Sequence, residues 1–113
     1  MDCLFCDIAQ GKIPSEIIYE DDSCVAFNDI NPQGPVHFLI IPKKHIGSVA
    51  EITEEDEALL GQMLKTIAIL ANDKGLNDNG YRVVSNIGKD AQQSVPHLHF
   101  HVIGGRSLAW PPG

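Results

Sequence analysis

Basic residues are scarce in this chain. Eight lysines and arginines stand against fifteen aspartates and glutamates, a formal net charge of −7. Nucleic-acid backbones are bound by clustered Lys and Arg, so this balance argues against nucleic acid as the main partner. It does not exclude a small phosphate ligand, which neutral donors can hold. Long apolar runs are also missing. No stretch approaches the roughly 20 apolar residues of a membrane span, and Met1-Asp2-Cys3 lacks the basic and apolar regions of a signal peptide. A cytoplasmic protein with no membrane partner is therefore expected. Three cysteines, an odd number, do not suggest a disulfide framework in such a compartment. Repeats and low-complexity segments are absent. What is present is ordinary for a soluble globular protein: 113 residues, 43% hydrophobic and 20% charged, which predicts one domain over residues 1–113.

The most informative stretch is Gln93-Ser94-Val95-Pro96-His97-Leu98-His99-Phe100-His101-Val102-Ile103-Gly104-Gly105. Three of the five histidines alternate with apolar residues. In a β-strand such residues share one face, so His97, His99 and His101 would line an open face while Leu98, Phe100 and Val102 are buried. Pro96 suits a strand start better than a helix interior. From the first to the third ring the row would span about 13 Å, enough to lie along a small anion. Histidine titrates near neutral pH, so it can attack, donate or accept a proton there, and its neutral form binds metals. A polar outer face and a metal site are the alternatives; phosphoryl-group chemistry fits the pattern best.

Elsewhere the chain alternates short strands with two helical stretches. Asp2 is placed to cap a short N-terminal helix ending near Gly11. Ile17–Tyr19, Cys24–Phe27, Val36–Ile41 and Tyr81–Ser85 read as strands. Thr53 and Asp56 form a capping box opening one long helix, in which Leu60, Met63, Leu64, Ile67, Ala68 and Ala71 make a core stripe up to Lys74, with Gly75 ending it. This helix should cover the Leu98/Phe100/Val102 face. Cys24 reads as a small buried hydrophobe. Asn86 to Pro96 is a polar loop placed to bind a ligand. The Cys3-x-x-Cys6 pair is weak evidence alone, since a zinc site needs two further ligands.

These residues carry a resemblance. His-x-His-x-His followed by apolar residues resembles the signature of the histidine-triad (HIT) superfamily of nucleotide hydrolases and transferases. Ile13-Pro14-Ser15, Phe27-Asn28-Asp29-Ile30-Asn31-Pro32 and His37-Phe38-Leu39-Ile40-Ile41-Pro42-Lys43-Lys44-His45 extend it over nearly the whole chain. The closing Gly104-Gly105-Arg106 and Trp110-Pro111-Pro112-Gly113 are similar to one branch, the Hint-type nucleotide-binding proteins.

The resemblance implies an α+β fold: an antiparallel sheet of about five strands, one long helix and a short N-terminal one, with the sheet extended across a homodimer. It implies hydrolysis of purine nucleoside 5′-phosphoramidates, with diadenosine polyphosphate cleavage or non-catalytic AMP sensing as alternatives. His99 would attack phosphorus and form a nucleotidyl-histidine. Its other nitrogen would be held by a backbone carbonyl. His101 and Ser94 would stabilise charge, and His97 would support the triad or bind zinc. His37 would stand near the site in support. Phe5, Ile8, Phe27 and Ile30 would sandwich the base, Asn28 and Asp29 would face the ribose, and Asn86, Gln92, Gln93 and Ser94 the phosphate. Trp110, in the tail 106–113, would approach the partner subunit's site. No cofactor is needed for catalysis. Cys3, Cys6, His45 and His97 would form a structural zinc set, the alternative being two inert thiols. Family members often carry glycines before the Gln, where this chain has Ala91 and Gln92.

Overall fold

A computed structural model describes residues 3–113. Five strands form one antiparallel sheet: β1 (Ile17–Glu20), β2 (Cys24–Asn28), β3 (Val36–Pro42), β4 (Tyr81–Val84) and β5 (Phe100–Gly104). Their order across the sheet is β1-β2-β3-β5-β4. The fold is α+β, with the long helix α2 (Glu57–Asp73) and the short α1 (Leu4–Ala9) on the sheet. No helix among the described residues is long and apolar enough to cross a membrane.

Strand periodicity divides the core in two. Cys24, Ala26, Phe38, Ile40 and Val102 meet Met63, Ile67, Leu70 and Ala71 of α2. The alternate residues Val25, Phe27, Leu39 and Ile41 meet Cys3, Phe5 and Ile8 at α1. Both faces of β2 and β3 are therefore covered, which is why those strands read as unbroken apolar runs. The α1 layer is thin, and the rest of that sheet face is left for a site.

Helix ends follow local chemistry. The Asp2 cap lies outside the described residues; Cys3 occupies the cap position, its sulfur accepting from the Cys6 N–H at 3.3 Å. Asp56 accepts from the Thr53 N–H at 3.0 Å, closing the capping box. The turn this box opens, Glu54–Asp56, is 3₁₀, and the α-helix begins one turn later.

Two expectations need correction. Leu64 is half exposed and Ala68 exposed, while Thr66 and Leu70 are buried. Successive helical residues are about 100° apart, so the positions following Met63 and Ile67 turn to the edge of the contact. The histidine row, moreover, is not one strand. β5 starts at Phe100, because the Leu98 N–H pairs with the Ile46 carbonyl at 2.6 Å and the His97 N–H with Val95 at 2.8 Å. Their hydrogen bonds go to loops, not to a ladder. Phe100 and Val102 do pack toward α2, but Leu98, though buried, is outside that cluster.

The loop before the row contains Gln92 at φ 63, a left-handed conformation that costs a non-glycine residue about 1–2 kcal/mol. Gln92→Gly is expected to raise stability by about 1 kcal/mol in urea melts.

Candidate active site

A cleft of about 360 Å³ opens on the α1 side of the sheet. Phe5 and Ile8 from α1, Phe27 from β2 and Leu39 from β3 make its apolar floor, and Asn28 and Asp29 follow where β2 ends. Ser94, Val95, His99 and His101 form the opposite wall. Phe5 stands edge-on to both Phe27 and His99, with centroids 5.6 and 5.0 Å away. One end of the cleft is thus apolar and aromatic, suited to a flat heterocycle, and the other is polar.

His99 is held by backbone. Its Nδ1 lies 2.7 Å from the His97 carbonyl, which can only accept, so Nδ1 carries the proton and Nε2 is left with a free lone pair. Its own carbonyl accepts from the Ser85 hydroxyl at 2.8 Å. His99 is 5% exposed yet lines the cleft.

His101 is set by a chain of donors. The Gln33 N–H donates to His37 Nδ1 at 3.0 Å, so His37 carries its proton on Nε2. That proton goes to His101 Nδ1 at 2.9 Å, and His101 must then present Nε2–H. Asp29 flanks both rings, its carboxylate 3.4 Å from His37 Nε2 and 3.8 Å from His101 Nδ1. Burial, then the neighbouring His99 and His37, push His101 down to about 4 against the opposing pull of Asp29. Burial lowers His37 likewise. Both rings are neutral at pH 7.

A pH dependence follows. A His101 that titrates near 4 when folded and near 6.5 when unfolded takes up its proton earlier in the unfolded chain. Its stabilising share is whole above pH 6.5 and is lost as pH falls toward 4. Urea unfolding between these limits should show a loss on the order of 3 kcal/mol, reduced in His101→Asn.

Beneath the row lies a second cluster. Cys3 Sγ is 3.5 Å from His45 Nδ1 and 3.3 Å from His97 Nδ1. Cys6 Sγ is 3.1 and 3.4 Å from the same two atoms, and the two Nδ1 atoms are 3.2 Å apart. A tetrahedral zinc ion with ordinary Zn–S and Zn–N bonds would need S···N edges of about 3.5 Å and an N···N edge of about 3.3 Å. Donor set and spacing both fit. His97 Nε2 lies 2.9 Å from the Pro42 carbonyl, the outer hydrogen bond that fixes a ligating imidazole. His97 is fully buried, not on an open face as strand alternation predicted.

The family model for the scavenger mRNA decapping enzyme C-terminal binding region matches residues 2–109. An uncharacterised HIT-like protein of Synechococcus elongatus is 52% identical over 112 residues, 99% of this chain and 97% of the relative. The chain belongs to the HIT superfamily. The HIT family hydrolase of Legionella pneumophila is 47% identical with a TM-score of 0.97, covering 99% of this chain and 100% of that one. The histidine triad nucleotide-binding protein of Candida albicans is 34% identical with a TM-score of 0.83, over 97% and 83% of the respective chains.

Within this HIT fold, Asn86, Gln92 and Gln93 are not among the cleft-lining residues. The Asn86 amide donates to the Ala91 carbonyl at 2.7 Å, and Gln92 is exposed. Gln93 spends its amide on Gly88, Gly47 and Val95. Trp110 is 79% exposed, in a tail tied to β4 where Arg82 donates to the Ala109 carbonyl at 2.9 Å. Ile30, a member of the cleft rim, is 99% exposed. Conversely, Ile13, Pro14 and Val95 line the cleft, and Ser85 and Gln33 orient the histidines through contacts that no local pattern signals.

Proposed function

We propose that this protein hydrolyses purine nucleoside 5′-phosphoramidates at the P–N bond. The observation that carries the reading is the bond from His99 Nδ1 to the His97 carbonyl, which leaves the Nε2 lone pair free at the polar end of the cleft. Nε2 attacks the α-phosphorus, a P–Nε2 bond forms, and the P–N bond to the amine breaks. The amine takes its proton from the medium at the cleft mouth. Water then attacks phosphorus and gives up a proton to the medium, replacing the one the amine took; the P–Nε2 bond breaks, and the nucleoside monophosphate leaves with His99 restored. His101 Nε2–H and the Ser94 hydroxyl are placed to donate to the phosphate oxygens, where charge builds up. The Phe5/Ile8/Phe27 floor takes the base. Asp29, beside the neutral His37–His101 pair, accepts from the ribose hydroxyls.

Two further parts of the reading rest on separate observations. The Cys3/Cys6/His45/His97 set holds a structural zinc ion, supported by the edge lengths above. Four protein donors would close the site to outside ligands, as in structural zinc centres, and no catalytic step passes through it. The homodimer is supported by β4, a sheet edge with Val83 40% exposed, and by Ala109, next to the exposed Trp110, held to Arg82 of that strand.

The deciding assay offers adenosine 5′-phosphoramidate and a diadenosine polyphosphate in parallel. Faster release of AMP from the phosphoramidate supports the reading; preference for the polyphosphate, or AMP binding without turnover of either, overturns it.

A further inference from the structure

Gln93 is half-buried, with a side chain that reaches three backbone groups in three places. Its Oε1 accepts from the Gly88 N–H at 3.0 Å. Its Nε2 donates to the Gly47 carbonyl at 2.8 Å and to the Val95 carbonyl at 3.0 Å. Its own N–H donates to the Gly88 carbonyl at 3.0 Å. The amide's acceptor and both donor directions are spent on the protein. Gly47 belongs to the segment after β3, 46 residues away, whereas Gly88 and Val95 bracket the loop that carries Ser94. The side chain therefore closes the loop on itself and fastens it to the segment behind it. Gln92, immediately before, holds the left-handed turn at φ 63 that introduces this arrangement.

From this we propose that Gln93 is a positioning residue, clamping the 88–95 loop so that Ser94 faces the phosphate end of the cleft beside His99 and His101. The inference rests on the nucleotide reading above and assigns Gln93 a role without contact to the ligand. A loop pinned at both ends presents Ser94 without ordering cost when phosphate arrives. The base floor is built from α1, β2 and β3; Val95 packs against it through its side chain, while the clamp holds Val95 only by its carbonyl. Its loss therefore acts on phosphate recognition and leaves base recognition alone.

That split gives the test. Gln93→Glu keeps the acceptor for Gly88 but sets carboxylate oxygen against two carbonyls; Gln93→Met keeps the length and removes all three bonds. The pair is measured so that either can report if the other does not fold, and thermal melts identify the folded variant. Binding of AMP and of adenosine is titrated by calorimetry against wild type. The expected result is a loss of about tenfold in AMP affinity, with adenosine affinity within about twofold. Hydrogen exchange at the Gly88 amide should accelerate in Gln93→Met and less in Gln93→Glu. Equal loss of both ligands would make Gln93 a general structural residue and overturn the proposal, as would unchanged AMP affinity. Wild-type protein that binds neither ligand would overturn the nucleotide reading itself, and the clamp's assigned role with it.

Discussion

Replacing His99 by alanine is expected to lower phosphoramidate turnover by about 10⁴-fold or more. No other imidazole can take over. His97 has Nδ1 in the cysteine cluster and Nε2 at the Pro42 carbonyl. His101 uses Nδ1 to accept from His37 and carries its proton on Nε2. His99 alone in the row presents a bare nitrogen to the cleft. The substitution removes a ring that meets Phe5 edge to face but breaks no ladder bond, so the variant should fold and still bind AMP. Intact-mass analysis of wild type quenched in turnover should show a gain of one nucleotidyl group, absent from His99→Ala. Substantial turnover by the variant would refute the mechanism.

Replacing Cys3 by serine is expected to release one zinc ion per chain and to destabilise the fold by about 3 kcal/mol or more. The melting temperature should drop by about 10 °C or more. The effect is large because the cluster joins segments 39 to 94 residues apart, and its loss leaves the buried Nδ1 of His97 without its partner. Elemental analysis beside calorimetry checks both halves. Zinc-free wild type that melts with Cys3→Ser would sink the metal assignment. Because the carbonyl that orients His99 belongs to His97, the variant's kcat should also fall.

Much of the architecture was legible because periodicity is local. The apolar runs at 24–27 and 36–41 marked strands covered on both faces, and Thr53, Asp56 and Gly75 marked the limits of the long helical stretch. Composition and the spacing of three histidines were enough to point to small-anion chemistry. The long helix's inner stripe departs from its periodicity at Leu64 and Ala68, which are apolar yet exposed, because the sheet's position decides which side is covered.

Local pattern alone places the strands, the helices and three imidazoles in one neighbourhood. What each imidazole nitrogen does is settled by the fold. His97, His99 and His101 are alike in the chain, yet one is turned into a sulfur-nitrogen cluster, one is tautomerically fixed by a carbonyl, and one is fixed by a relay from Gln33. The reason is physical. A ring nitrogen's proton is set by its hydrogen-bond partner, and most of those partners arrive from segments remote in the chain.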